Sequence, residues 1–203
     1  MPTPIAQSGI AAQAFRLLEM QPISSLDDDS EQAISAAEQY PEALRICLEH
    51  GEWSFARVAA QLARVDEPAG DPELGFSFQR PSDFVKMLDV WPCGVRWRLD
   101  ADRLRADAAG PLHVRYTRMI SDETLLGANF RTAVAARLAS LLALRWTTSN
   151  NRAQALLEMS AEYLARAARA DRNAASQGRY DGREREPDWV GAALAPGFSG
   201  GLR

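Results

Sequence analysis

Apolar residues recur every three to four positions in four segments of the chain, a spacing that puts them on one face of a helix. The second segment contains Pro41, which predicts a kink or a break at Tyr40 because proline lacks the backbone donor that a helix uses. The fourth has a packing face of mostly small side chains, which predicts a close approach to neighbouring helices. The predicted helices cover residues 10–20, 30–49, 125–146 and 151–175.

Between the second and third predicted helices the apolar period changes to two, the period of a half-buried strand. Trp97 lies between Arg96 and Arg98, and apolar residues continue at alternate positions on either side of this triplet. The pattern predicts a small antiparallel β-module over about residues 53–63 and 76–120. Its segment PSDFVKMLDV (residues 81–90) is instead expected to form one or two helical turns.

The alternation also predicts which side chains of the β-module are buried. Trp97 and Tyr116 are expected to pack inward, so truncation of Trp97 to alanine would cost about 3–5 kcal/mol. Three arginines are expected to face solvent or a neighbouring subunit, namely Arg96, Arg98 and Arg115. Together the elements predict a mainly α (α+β) fold, a helical bundle with a small inserted antiparallel β-module, within a single domain of residues 1–175.

Residues 176–203 differ in composition from the rest of the chain. They are rich in glycine and arginine and have widely spaced aromatic residues, a composition that does not build a core. We therefore expect an extended C-terminal arm. Arginines and aromatic residues are the types that anchor protein interfaces, and before the terminal Arg203 the arm carries six of them: Arg179, Tyr180, Arg183, Arg185, Trp189 and Phe198.

The charge of the chain is unevenly distributed. Residues 1–95 carry 15 acidic and 6 basic side chains, whereas residues 96–203 carry 12 acidic and 17 basic ones. This division is suited to head-to-tail contacts between subunits, with Arg131 and Arg137 on the third helix as further candidates for the boundary. Such an assembly should weaken as salt is raised, because exposed charges are screened beyond ~10 Å at 0.1 M. The net charge of −4 argues against a dedicated nucleic-acid binder.

Common catalytic constellations are missing from the sequence. There is no phosphate-binding loop, no nucleophile elbow, and no group of residues with metal-ligand spacing. We therefore expect no enzyme, no catalytic residue, no metal and no cofactor. The N-terminal residues MPTPIAQSG lack the basic and apolar regions of a signal peptide. The two cysteines, Cys47 and Cys93, are accordingly expected to be buried thiols in a chain made in a cytoplasm.

Four stretches of the sequence, taken in order, resemble the head–tail adaptor (connector) proteins of tailed bacteriophages, the family that includes tail tubular protein A. These stretches are AFRLL followed by PISSL in residues 14–26, AAEQY followed by WSFA in residues 36–56, FSFQRPSD in residues 76–83, and Phe130 to Ala139 with the alanine-rich helix after it. The resemblance covers roughly residues 10–175. Arg80 departs from it by standing where an apolar residue is usual, and residues beyond Ser176 match no pattern of the family.

The resemblance implies a structural protein of a virion or phage-like particle, made in the host cytoplasm. Its subunits would form a ring, expected to hold twelve, that docks under the portal protein at the neck between head and tail. The ring would carry the next tail component, of the stopper or nozzle type, and DNA would meet it only by passing through its channel, with no membrane involved. The resemblance applies equally to a phage and to a gene transfer agent. The C-terminal arm would contact the portal, with Trp189 as an anchor.

The resemblance also implies a place for Trp53 and Phe55, which lie two residues apart. Residues at this spacing share a face in an extended chain and point in different directions on a helix. By analogy with the family, the pair is expected on a strand that leaves the second helix, with both rings against the helical bundle. Two other classes of function stay open from the residues alone: a small DNA-binding regulator and an enzyme of unrecognised type.

Overall fold

The computed structural model describes residues 8–66, 71–146 and 150–173. These residues contain four α-helices and two antiparallel sheets with seven strands in all. The fold is therefore α+β, and the prediction of a mainly helical bundle is wrong, because the segment between the second and third helices forms more strand than its sequence pattern indicates. The described residues up to Asp171 belong to one compact unit, and Arg172 and Asn173 are grouped with the residues that follow them.

The four helices lie close to their predicted positions. Helix α1 begins after Ser8, whose hydroxyl accepts a hydrogen bond from the Ala11 N–H (2.9 Å), and it ends before Glu19, which has a φ of 61°. That left-handed residue ends the helix earlier than predicted. A 3-10 turn at residues 123–125 precedes the third helix. The helices are α1 (Gly9–Leu17), α2 (Glu31–Glu49), α3 (Ala128–Trp146) and α4 (Asn150–Asn173).

Helix α2 continues through Pro41, so the predicted break at Tyr40 is wrong. Proline in a helix interior leaves the carbonyl four residues earlier without its usual donor. Here that carbonyl belongs to Ala37, and both Ala37 and Pro41 lie on the exposed side of the helix, where water can hydrogen-bond the carbonyl. On the other side of α2, Tyr40, Ala43 and Leu44 are buried and hold the helix against its neighbours.

The strands between α2 and α3 form two sheets. The three-stranded sheet has the order β1-β7-β4, and the four-stranded sheet has the order β2-β3-β6-β5. All neighbouring strands are antiparallel. The strands are β1 (Arg57–Leu62), β2 (Arg64–Val65), β3 (Phe76–Gln79), β4 (Phe84–Trp91), β5 (Trp97–Asp100), β6 (Arg103–Ala106) and β7 (Leu112–Arg118).

Strand β4 corrects the prediction of helical turns over residues 81–90. Its register against β7 shifts twice, between Phe84 and Lys86 and between Met87 and Asp89. A β-bulge adds one residue to one strand, so each shift moves the following side chains to the other face. Two bulges in eight residues remove the period-two alternation that identifies a strand, and for this reason the sequence pattern fails here.

The molecule has two separate hydrophobic cores. The helical core is built by residues of all four helices, and its fully buried side chains include Phe15, Leu48 and Phe130. The second core lies within the β-module and includes Phe78, Leu104 and Val114. Tyr116 is 4% exposed and packs in this second core, which confirms its predicted inward position.

Trp53 and Phe55 pack against the helical bundle, as predicted, but they do not lie on a strand. Residues Ser54–Ala56 form a 3-10 turn, and β1 begins only at Arg57. The Trp53 ring is 1% exposed, lies 4.8 Å from the centroid of Phe130, and donates its Nε1–H to the Cys47 carbonyl (3.1 Å). Phe55 contacts the same Phe130 ring at 5.1 Å. The three rings form one aromatic cluster that joins the end of α2 to the start of α3.

Trp97 is 40% exposed, so the prediction that it packs inward is wrong. It begins β5, which lies at the edge of the four-stranded sheet and pairs only with β6. The alternation correctly predicts the face of the sheet on which Trp97 lies. Its partner across β5 and β6 is Ala106, which is buried on that face. Alternation cannot show that the strand is at an edge, where one side of an inward-facing ring has no neighbouring strand to cover it.

Glu123 connects three elements through one carboxylate. Its Oε1 accepts hydrogen bonds from the Ser8 and Tyr40 hydroxyls, the latter at 2.8 Å, and its Oε2 accepts from the Ile10 N–H at 3.3 Å. A negative charge at a helix N-terminus is favourable because it faces the positive end of the helix dipole. Glu123 therefore fixes the start of α1 and the middle of α2 to the turn before α3.

We expect Trp53→Ala to lower the free energy of unfolding by about 3–5 kcal/mol, the range for truncation of a buried aromatic residue. Trp97→Ala is the matched control and should cost only about 1–2 kcal/mol, because much of that ring is already in water. Urea denaturation of the two variants measures both values. Equal losses would contradict the assignment of Trp53 to the core and Trp97 to an exposed edge.

We expect Glu123→Ala to lower the free energy of unfolding by about 1–3 kcal/mol, because the Tyr40 hydroxyl keeps its burial and loses its acceptor. Tyr40→Phe removes the same hydroxyl and should cost less, about 0.5–1.5 kcal/mol. In the Tyr40→Phe background, Glu123→Ala should have a smaller effect than in the wild type. Additive losses in this double-mutant cycle would show that the two side chains do not interact.

Candidate interaction surfaces

The six residues predicted to contact a portal lie outside the described residues, since all of them follow position 173. The arginines predicted at the boundary between subunits are all described, and they lie in different environments. Arg96, Arg98 and Arg115 belong to the β-module, whereas Arg131 and Arg137 belong to α3. The arginines predicted at the boundary therefore form two groups, one on the β-module and one on α3.

Arg96 and Arg98 are exposed, as predicted, but each is already paired within the chain. Arg96 contacts Asp107 at 3.1 Å and Glu73 at 3.7 Å. Arg98 contacts Asp100 at 2.7 Å and Asp71 at 3.0 Å. The hydrogen bond from Arg98 lowers the pKa of Asp100 below its usual value. A partner that binds these arginines would therefore have to compete with carboxylates of the same chain.

Arg115, predicted to face solvent or a neighbouring subunit, lies on the outer face of β7 but is half-buried. Its Nη1 lies 3.3 Å from Asp89, and its guanidinium lies over the Trp91 ring at 4.8 Å from the centroid. Both partners lie on the neighbouring strand β4. Arg115 therefore holds the β4–β7 pair together on its outer face, where cation–π contact and ion pairing act on the same side chain.

Arg131 and Arg137 lie six residues apart on α3 and differ in exposure. Arg131 is exposed, whereas Arg137 is half-buried and its Nε has no hydrogen-bond partner among the described residues. Arg137 is close enough to Cys47 to act on its thiol electrostatically. Burial nevertheless raises the pKa of Cys47 to about 12, more than Arg137 and Ser160 lower it. Cys47 is therefore a protonated thiol at neutral pH and a poor nucleophile.

The two cysteines are both free thiols, but only one is buried. Cys47 is buried, as predicted, whereas Cys93 is exposed in the loop between β4 and β5, contrary to the prediction. Among the described residues no group of three or more histidine, cysteine or acidic side chains could hold a metal ion. Within the same ranges, no helix combines the length and the apolarity that a membrane span requires.

A cavity of about 250 Å³ lies between the turn after α2, the start of α3 and the end of α4. We name it the Phe130 cavity. Its wall is mostly apolar and formed by two aromatic rings and by small residues, with two polar side chains, Asn129 and Asp171. The lining residues are Phe55, Gly127, Ala128, Asn129, Phe130, Ala167, Ala170 and Asp171.

The polar groups of the Phe130 cavity are partly engaged. The Asp171 carboxylate accepts hydrogen bonds from the hydroxyl and the N–H of Ser54, the latter at 3.1 Å. Two exposed arginines, Arg131 and Arg169, directly adjoin lining residues in the sequence. Neither of them forms an ion pair within the described part of the chain. The cavity is thus an apolar depression in which one of the two polar side chains of the wall, Asp171, is already hydrogen-bonded.

Sequence reasoning did not find the Phe130 cavity. Its signals are the glycine and alanine before Phe130 and the alanines of α4, which leave space where larger side chains would close it. Small residues at helical spacing indicate close packing equally well, so the pattern does not distinguish a tight contact from an open space. Only the three-dimensional arrangement of the turn, α3 and α4 shows which of the two occurs.

No protein-family model matches this chain. The search of curated proteins likewise found no match.

The Tyr116 hydroxyl makes the stability of the protein depend on pH. Burial, and then the hydrogen bond that its hydroxyl donates to Asp83 (2.9 Å), raise the pKa of Tyr116 from 10.0 to about 12. Because the folded-state pKa exceeds the unfolded one, this contribution to stability is complete below pH 10 and is lost as the pH rises toward 12. Burial also raises the pKa of Tyr40, so this residue too loses its contribution to stability at alkaline pH.

We therefore expect the free energy of unfolding to fall with pH above about 10. The double variant Tyr40→Phe and Tyr116→Phe should show a flatter dependence, measured by urea denaturation over a series of alkaline buffers. An unchanged slope in that variant would mean that other groups cause the alkaline loss of stability.

Proposed function

We propose that this chain is a structural head–tail adaptor of a phage or phage-like particle. Copies of it form a ring, expected to hold twelve subunits, that docks under the portal protein. The ring is the platform for the next tail component, of the stopper or nozzle type, and DNA passes through its channel. In this function the protein is located in the neck of the particle and performs no catalysis.

The observation that carries the proposal is the order of four family-like motifs along one chain, together with the way their residues pack. Phe15, Trp53 and Phe130 come from three of these motifs and are separated by many residues in the sequence. All three are at most 1% exposed and belong to the same helical core. If the motifs belong to one fold, their residues are expected to pack in the same core. Phe15, Trp53 and Phe130 do so, and this supports the resemblance.

The two cores also suit an adaptor. A ring subunit must contact a neighbour on each side, the portal on one end and a tail component on the other, and it needs rigid surfaces for each. The helical core and the β-module provide two such bodies in one chain. The first half of the chain is acidic and the second half is basic. This distribution favours contacts between oppositely charged surfaces of neighbouring subunits.

A small DNA-binding regulator is the alternative class of function that the sequence suggests. Such a regulator usually presents a basic recognition helix to the major groove. Helix α2 instead carries Glu31, Glu38 and Glu42 on its exposed side. The genes beside this one discriminate the two classes: a portal or terminase gene upstream supports the adaptor, and a promoter with operator repeats supports the regulator.

The arm of residues 176–203 is the portal-binding segment of this proposal, with Trp189 as its anchor. An arm that orders on binding can cover a large surface of its partner. We expect deletion of residues 177–203 to leave the folded unit intact and to abolish attachment to the portal protein encoded in the same gene cluster. Trp189→Ala in the full chain should weaken attachment at least about tenfold, as loss of an interface anchor does.

Circular dichroism and urea denaturation check folding, and co-sedimentation with portal rings measures attachment. Phe198→Ala is a useful comparison, because its ring lies in the same arm but is not the proposed anchor. A shortened chain that is folded and still attaches normally would contradict the role of the arm. A full chain that does not attach to its portal at all would contradict the adaptor function itself.

A further inference from the structure

Strand β5 has one long side without a neighbouring strand. It lies at the edge of the four-stranded sheet and pairs only with β6. Its first residue, Trp97, is 40% exposed although it lies on the face of the sheet that covers the second core, where Leu99 is partly buried. We name residues 96–100 the β5 edge. It presents an apolar ring beside backbone that no strand covers.

The hydrogen bonds of the β5–β6 hairpin show which backbone groups of the β5 edge are open. The Arg96 carbonyl accepts the N–H of Asp107 at 3.1 Å. Bonded and non-bonded positions alternate along an antiparallel ladder, so positions 96, 98 and 100 bond to β6. The N–H and C=O groups of Trp97 and Leu99 therefore point away from β6, and no described residue hydrogen-bonds them. Two donors and two acceptors are open to an extended strand.

The sequence of the β5 edge, RWRLD, is complementary to itself in the antiparallel direction. When two copies are centred on Arg98, Trp97 of each copy is opposite Leu99 of the other. Arg96 of each copy is opposite Asp100 of the other. The open backbone groups then meet as hydrogen-bonded pairs, with four bonds in all. Apolar pairs and pairs of opposite charge across two strands are the ones that stabilise a sheet.

The centre of this register places Arg98 opposite Arg98 of the second copy. Each of these side chains keeps the carboxylates of its own chain, Asp100 at 2.7 Å and Asp71 at 3.0 Å. Arg96 likewise keeps Asp107 at 3.1 Å. The arginines of the β5 edge are thus matched by acidic groups within each copy, and two copies approach without an excess of positive charge.

The two neighbouring registers are less favourable. A register centred on Trp97 places Arg96 opposite Arg98 twice, and like charges directly opposite each other destabilise a sheet. A register centred on Leu99 places Trp97 opposite Ala101. That residue has a φ of 49° and lies in the turn between β5 and β6, so it does not continue the strand, and the bonds to Trp97 are lost. The register centred on Arg98 uses all the open groups.

We propose that two copies of this chain pair through the β5 edge, antiparallel and centred on Arg98, so that their four-stranded sheets become one continuous sheet. The strand of each copy covers the Trp97 ring of the other. Both copies use the same residues, so the contact is isologous and joins two copies only. It also occupies an edge that is otherwise open to any extended strand. The inference goes beyond the adaptor function and does not rest on it.

Cysteine cross-linking tests the centre of the register. Two residues at position 98 would be opposite each other at a non-hydrogen-bonded position, where the Cα atoms lie about 4.5 Å apart, within the range of a disulfide. Every variant also carries Cys93→Ser, which removes the exposed thiol, and Cys47 is buried. Under mild oxidation of the full chain, Arg98→Cys should give a disulfide-linked dimer on a non-reducing gel.

Arg96→Cys and Asp100→Cys are the matched controls on the same strand. In the proposed pair, two residues at position 96, or two at position 100, lie four residues apart along the strands, about 14 Å, too far for a disulfide. Each variant alone should therefore stay uncross-linked. An equimolar mixture of the two should give the linked heterodimer, because position 96 of one copy is opposite position 100 of the other. A linked heterodimer also shows that both variants are folded.

Sedimentation equilibrium of the isolated full chain measures the association itself. The contact is small beside the interfaces of stable dimers, which bury about 1,200–2,000 Å², so we expect association only at high concentration. Trp97→Asp should weaken it at least about tenfold, because a charge then lies among apolar side chains. Ile34→Asp is the control, since Ile34 is 49% exposed on α2, outside the β5 edge, and it should leave association unchanged. Circular dichroism checks that both variants are folded.

Three results would overturn the proposed pairing. The first is a wild-type chain that stays monomeric at millimolar concentration while Arg98→Cys fails to cross-link. The second is a dimer that Arg96→Cys alone forms as readily as Arg98→Cys, since this would exclude the register. The third is an equal loss of association in Trp97→Asp and Ile34→Asp, which would place the contact elsewhere. Attachment of the wild-type chain to portal rings tests the adaptor function separately.

Discussion

The buried indole of Trp53 is the constraint on which the rest of the fold depends. An indole ring in a core must lose its water and still find an acceptor for its N–H. Here the acceptor is the Cys47 carbonyl near the end of α2, and the ring packs edge-on against Phe130 of α3. Both requirements are met only if α2 ends where it does and α3 passes beside it. The direction in which the chain leaves α2 toward β1 is set at the same point.

A second constraint acts at the turn that precedes α3. The Glu123 carboxylate accepts hydrogen bonds from the hydroxyls of Ser8 and Tyr40. The start of α1 therefore cannot move independently of α2. Aromatic packing therefore joins α2 to α3, and the shared carboxylate joins α1 and α2 to the turn before α3. The aromatic contact contributes most of the burial, whereas the carboxylate specifies one arrangement, because a buried hydroxyl without an acceptor is costly.

Helices α1, α2 and α4 were predictable from sequence because one side of each is buried and the other is exposed to solvent. Ile10, Ala14 and Leu18 are buried at helical spacing, and the periodicity reports this directly. The β-module was predictable only where its strands are regular, as in β3 and β7. The bulges of β4 hide its period, and the edge position of β5 leaves Trp97 exposed although it faces the expected side. Register shifts and strand order are tertiary properties, and they have no local signal.

The candidate surfaces show the same limit. An arginine-rich composition indicates interfaces, but it does not separate arginines paired within the chain from those that are not. Arg96, Arg98 and Arg115 neutralise carboxylates of their own module, whereas Arg131 forms no ion pair with a described residue. The Phe130 cavity depends on three segments that are far apart in sequence. Single positions could therefore be proposed from sequence, and their grouping could not.

The β-module enters and leaves the helical core at neighbouring positions, since Arg57 at the start of β1 pairs with Thr117 near the end of β7. An inserted segment whose two ends lie side by side can be lengthened, shortened or replaced without a change in the path of the helices. Recombination between related genes could thus exchange the module as a unit, and the helical scaffold would keep its geometry.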